Sequence, residues 1–227
     1  MSVAIGDKAP EFELLDTEGD SWSAPNGDGA KANVVVFTCN HCPYALAWHD
    51  RIADAARDYS GKGVRFLAVS SNDADRYPRD SYDAMKARVA KEDWPMPYLY
   101  DQTQEVARAY GAKTTPDVFV VDAEGKLRYR GAPDSDYEDP GQQAQWLREA
   151  LDAVLGGEQP ALHVVGVIAG AAEGLGRHRR AAAGAAVEHH GPVAIDRFGL
   201  GCELGEPDQA VAGDPPRLVL VGLADVD

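Results

Sequence analysis

An α/β fold with parallel strands at its centre is the class this chain predicts, on three observations. Asn33 to Thr38 and Val64 to Ser70 are apolar, β-branched runs with no alternation, the pattern of strands covered on both faces. Between them, from about Cys42 to Tyr59, apolar residues recur at helical spacing, with Ala45, Leu46, Ile52, Ala53 and Ala56 on one side and Gly61 and Gly63 at the end. A second helical segment, Ser81 to Glu92, follows the second strand, so the pattern strand, helix, strand, helix is complete.

The remaining elements fall in order around this unit. Ile5 to Trp22 reads as an extended entry and a hairpin about Thr17 to Asp20, followed by a polar loop from Ala24 to Lys31. Tyr98 to Tyr100 is a short segment after a Pro-containing turn, and Thr103 to Tyr110 a helix closed by Gly111. Asp117 to Asp122 and Lys126 to Arg130 are strands joined by the turn Ala123-Glu124-Gly125, and Gly141 to Leu155 is a last helix.

The 227 residues suffice for one sizeable core and an appendage, and 44% hydrophobic with 26% charged residues is a globular composition. The formal net charge of −15 argues against nucleic acid, which needs clustered Lys and Arg. No apolar run is long enough to span a membrane, and the N-terminus lacks the basic start and apolar stretch of a signal peptide. A cytoplasmic protein with no membrane partner is the expectation. Residues 1–158 form one domain; residues 159–227 are an Ala/Gly-rich tail. From His163 onward there is no Ser, Thr, Asn, Lys, Tyr, Trp or Met, and only Arg217 to Leu223 has a strand pattern. That composition reads as a disordered tail or as the frame-shifted end of a GC-rich gene, with a small functional domain as a third reading.

The chemistry lies in the stretch FTCNHCPY, Phe37 to Tyr44, which places Cys39 and Cys42 directly after the first buried strand. Three cysteines are too few for a disulfide scaffold. Zinc wants about four ligands, and no second cysteine pair exists: Cys202 is alone, and His41 and His49 are not at paired spacing with it. No metal is expected. A dithiol at a strand-to-helix junction has another logic. If the helix begins at about Cys39, its free amides and dipole favour the thiolate, making Cys39 the nucleophile. Cys42, one turn on, would attack the mixed disulfide and release the reduced partner. Asn40 and His41 lie between them, and a protonated His41 would stabilise the Cys39 thiolate and make the oxidised form a better oxidant. His41 merely solvated is the plain alternative.

The second element is TTPDVFVVD, Thr114 to Asp122. A proline just before a buried strand has no ladder donor and belongs at the strand's first position or in a special turn. The expectation is a cis Thr115-Pro116 peptide against the dithiol, with the Thr115 backbone pairing a substrate strand and Pro116 excluding metal; an ordinary trans proline is the alternative.

Together these motifs resemble the thioredoxin fold, and more fully the redoxin group often labelled AhpC/TSA, within it the thioredoxin-like thiol-disulfide oxidoreductases. The resembling stretches are IGDKAPEFELLD (Ile5 to Asp16), FTCNHCPY, YDQTQEVARAYGAKTTPDVFVVD (Tyr100 to Asp122) and GKLRYRG (Gly125 to Gly131). The resemblance implies a central mixed sheet flanked by helices, an N-terminal β-hairpin and an inserted helix-strand element. It implies Cys39, Cys42 and Pro116 as the active site. Two departures stand out. The PxxxTxxC pattern of peroxiredoxins is met by Ala32 and Val36, and the buried acid that thioredoxins carry six residues before the first cysteine is Asn33.

The expected function is therefore thiol-disulfide exchange without a cofactor, drawing on an unidentified thiol donor and acting on a disulfide-containing protein or a small-molecule oxidant. A peroxidase, in which Cys39 reduces a hydroperoxide through a sulfenic acid and Tyr44, Trp48, Thr115 and Pro116 line the pocket, is the first alternative. A non-catalytic binding module using the groove by Pro116 is the second.

Overall fold

The computed structural model describes residues 3–25 and 29–163 and the backbone of 202–203. A hairpin of β1 (Phe12–Leu15) and β2 (Ser21–Ala24) opens the chain. The central sheet has the order β5-β4-β3-β7-β8, from β3 (Ala32–Phe37), β4 (Val64–Ser70), β5 (Tyr98–Tyr100), β7 (Asp117–Asp122) and β8 (Leu127–Gly131). β3, β4 and β5 run parallel, and β7 and β8 run antiparallel to their neighbours, so the sheet is mixed. This is the thioredoxin-like fold that the motifs imply, with the hairpin before it and α2 (Tyr82–Lys91) plus β5 inserted after β4.

β3 is buried at every position because both its faces are covered. Val34 and Val36 point into one core with Val118, Val120 and residues of α1 (Pro43–Ser60) and α4 (Gln145–Leu155). Val35 and Phe37 point into the other, with Phe119, Val121 and residues of α3 (Glu105–Tyr110). The period of two along the strand divides the core, which is why its sequence shows no alternation. In α4, Leu147, Ala150, Leu151 and Val154 are the buried set, the i, i+3, i+4, i+7 face of an amphipathic helix. Among the described residues no helix is long and apolar enough to cross a membrane.

Several expected boundaries move. α1 starts at Pro43, with Cys42 as its N-cap, and Leu46 is 40% exposed instead of facing the core. Tyr44, Ala45, Trp48, Ile52, Ala55, Ala56 and Tyr59 take the buried face; Leu46 lies about 100° off Ala45 on a helix of 3.6 residues per turn. α4 begins four residues after the expected Gly141, because Ala144 at its N-cap has a left-handed φ of 56°. Two short elements were not legible: a 3-10 turn at Pro78–Asp80, and β6 (Thr114–Thr115), which pairs antiparallel with β9 (Cys202–Glu203). Apart from that pair, the tail from residue 164, including the strand expected at Arg217 to Leu223, lies outside the described residues.

Candidate active site

Parallel strands β3 and β4 end at the same edge of the sheet, so the loops that follow them, 38–42 and 71–81, meet there. The first carries Cys39 and Cys42. Pro43 starts α1 at the position where a missing N–H has no consequence, and no side chain caps the helix. The loop returning into β7 brings Thr115-Pro116 against the pair; that peptide is cis, as is Ala24-Pro25.

Both cysteine sulfurs touch Thr115. Cys39 Sγ lies 3.3 Å from Thr115 Oγ1, and Cys42 Sγ donates to the Thr115 carbonyl at 3.2 Å. Both are free thiols at 0% exposure. The Thr115 register partner in β9 is Cys202, so the edge of β6 beside the dithiol takes an added antiparallel strand.

The helix dipole does not govern Cys39 as expected. Cys39 precedes the helix, whose first turn starts at Pro43, and its thiol is held well above the ordinary range. The hydrogen bond with Cys42 is the main cause, burial the next, and the negative charge of Asp80 adds to both, while the Thr115 hydroxyl acts the other way. A thiol raised in this way has its reactive thiolate only in alkaline solution. Reduced native protein at pH 8 should therefore be alkylated at Cys39 by iodoacetamide about tenfold or more slowly than the urea-unfolded chain, followed on the Cys39 peptide by mass spectrometry. Equal rates would show an exposed, ordinary thiol.

Asn40 and His41 are fixed from the facing loop. The Asn40 N–H donates to Asp80 Oδ1 at 2.7 Å, and its side-chain amide donates to the Arg79 carbonyl at 2.8 Å. Asn40 Oδ1 accepts from Tyr98 Oη at 3.0 Å and from Arg88 Nη1 at 3.3 Å. Burial pushes the Tyr98 phenol up, which keeps it a donor. Arg88 Nη1 also donates to the Cys39 carbonyl at 3.1 Å. His41 Nδ1 is 2.5 Å from Asp80 Oδ2, and its ring stacks on Tyr77 at 4.6 Å between centroids. His41 is thus a held residue, not a solvated one.

Ligand-type atoms of Cys39, His41 and Asp80 lie within 4.8 Å of one another. The carboxylate is occupied by N–H groups of Asn40, His41 and Asn72, however, and two of those three, the Asn40 backbone and the Asn72 amide, cannot be metal ligands through the same atoms. The cluster is organised as a hydrogen-bond network.

Two further candidates take different places. Tyr44 is in the first turn of α1 and packs edge-on to Tyr137 at 4.7 Å. Trp48 is buried, and its indole N–H donates to Asp134 Oδ1 at 2.6 Å. One helical turn beyond Tyr44, its indole reaches the 132–144 loop from the core cluster it shares with Cys39 and Cys42. Asp80, Asn72, Arg88 and Tyr98 are site residues that sequence patterns do not single out. The available signal was positional, an acid in the loop after a parallel strand, at the end of the sheet where the dithiol also lies.

Against known proteins, a family model described as the AhpC/TSA family matches residues 5–130. An uncharacterized conserved protein from Geobacillus kaustophilus of known structure is 39% identical, with a TM-score of 0.66 over 70% of this chain and 85% of that one. A hypothetical protein from Sinorhizobium meliloti 1021 is 35% identical, with a TM-score of 0.68 over 73% and 91%. The thiol-disulfide oxidoreductase ResA of Bacillus thuringiensis subsp. konkukian is 26% identical over 127 residues, 55% of this chain and 68% of that protein. With the family model covering more than half of its length and the paired thiols set against a cis proline, the chain belongs to the AhpC/TSA family, as a redoxin of thioredoxin-like fold.

Proposed function

We propose that the protein is a thiol-disulfide oxidoreductase whose redox couple is Cys39 and Cys42. The observation that carries this reading is the meeting of both sulfurs at Thr115, at 3.3 and 3.2 Å, beside a strand edge able to pair with an extended chain. In the reducing direction, Cys39 as thiolate attacks a substrate disulfide, forming a mixed disulfide and expelling one substrate thiolate, which takes up a proton. Cys42 then attacks the Cys39 sulfur and releases the second substrate thiol. The substrate gains two electrons and two protons, and the Cys39–Cys42 disulfide left behind is reduced by an external thiol donor.

Thr115 serves both sulfurs: its hydroxyl hydrogen-bonds Cys39 and eases ionisation, and its carbonyl accepts from Cys42. Pro116 holds that turn, and the backbone of Thr114–Thr115, paired with β9 in this structure, takes the substrate segment by strand exchange in place of β9. Asn40, His41 and Tyr44 form the neighbouring surface. The resemblance to proteins named thiol-disulfide oxidoreductase supports the reading. The peroxidase alternative lacks its polarising groups: Ala32 and Val36, both buried and apolar, stand where the proline and threonine of that chemistry would be.

Stopped-flow reaction of the reduced full chain with a model disulfide and with hydrogen peroxide tests it. Disulfide exchange should be much the faster, and should require Cys39. Rapid peroxide consumption that depends on Cys39, with slow disulfide exchange, would make the protein a peroxidase.

A further inference from the structure

Asp80 is a fully buried carboxylate, and among the described residues its ion-pair partner is His41, not an Arg or Lys. Three N–H groups hold it: the Asn40 backbone at 2.7 Å, the Asn72 amide at 2.7 Å and His41 Nδ1 at 2.5 Å. Two of these belong to the residues between the cysteines. Burying a carboxylate costs several kcal/mol unless it is satisfied in this way, so the fold devotes a built site to an acid next to the dithiol. Asn33, by contrast, donates to the Pro25 carbonyl and accepts from Arg65, and has no part in the thiol site.

We propose that Asp80 is a positioning residue of the dithiol, locking Asn40 and His41 in place while its buried charge beside Cys39 poises the couple as a reductant. The physical route is short. A like charge nearby disfavours the thiolate. Where the solution is alkaline enough to ionise the thiol, a reduced pair that gains little from ionisation gives up its electrons more readily, the reverse of couples whose thiolate is stabilised. The other groups around Cys39 are Cys42 and His41 from its own loop, Arg88 from α2, Tyr98 from β5 and Thr115 from β6. Arg88 meets the Cys39 carbonyl, and Tyr98 and Thr115 are neutral donors, so Asp80 is the negative side chain among them.

The inference rests on the oxidoreductase reading, and the two can fail separately. The full chain and its Asp80→Asn and Asp80→Ser variants are equilibrated with glutathione redox buffers, and Cys39 alkylation is followed against pH. The same substitutions in a His41→Gln background remove the carboxylate without also changing the charge of its partner. The expected result is a fall of about one pH unit in the alkylation midpoint and, in buffers more alkaline than both midpoints, an equilibrium constant with glutathione shifted about tenfold toward the dithiol, in both backgrounds; below the midpoints, where the thiol is protonated, the constants coincide. A purely structural role would lower the unfolding midpoint and leave both readouts in place. Folded variants whose alkylation midpoint does not fall, or whose constants in the alkaline buffers stay within about twofold of the parent or shift toward the disulfide, overturn the proposal, as does failure of both substitutions to fold, which would assign Asp80 to the fold alone. A parent chain that does not exchange with glutathione at all overturns the oxidoreductase reading instead.

Discussion

Cys39→Ser abolishes disulfide reduction, with a loss of about a thousandfold or more, whereas Cys42→Ser stops the reaction one step later. The difference follows from geometry. Cys39 Sγ has the Thr115 hydroxyl beside it, and Cys42 Sγ is turned to the Thr115 carbonyl, 3.2 Å away. The Thr115 hydroxyl beside the first sulfur favours its ionised form. When Cys42 is replaced, the mixed disulfide on Cys39 has no internal thiol to resolve it, and it accumulates. Mass spectrometry of Cys42→Ser after incubation with a model disulfide should show one substrate moiety on the peptide containing Cys39. The adduct on Cys42 of Cys39→Ser, with none on Cys42→Ser, would exchange the two roles.

The elements carrying strong period signals were legible. β4 begins and ends where its apolar run does, and β3 and β7 follow from patterns that show no alternation because both faces are buried. The Ser81 helix start was legible too, since the serine hydroxyl accepts from the Ala84 N–H as an N-cap. The dithiol and the cis Thr115-Pro116 peptide could be read because chemistry restricts which residues can stand there. What escaped was long-range. Asp80 reaches a backbone N–H forty residues away, and nothing in SNDADRYPRD distinguishes it from the exposed acids around it. Cys39 is not lowered as expected for a related reason: it lies outside the helix, and the hydrogen bond with Cys42, then burial, push its thiol up.

The same contrast governs the largest expected stability effect, which lies away from the thiols. Asp134→Ala should destabilise the domain by about 3–5 kcal/mol. Its carboxylate is fully buried and accepts from four directions: Trp48 Nε1 at 2.6 Å, Arg51 Nη1 at 3.0 Å, the Ala144 N–H at 3.1 Å and the Asp136 N–H at 3.3 Å. Arg51 goes on to the carbonyls of Asp136, Tyr137 and Asp139, so one carboxylate and one guanidinium tie α1 to the loop that leads into α4. Removing the acid leaves an indole N–H and a guanidinium that is only 10% exposed without their partner, and frees the backbone bond that holds Ala144 in its left-handed conformation. Urea unfolding should report a lower midpoint at unchanged slope. A loss below about 1 kcal/mol would mean that water replaces the carboxylate without difficulty, and that the packing of Trp48, not its hydrogen bond, secures the helix.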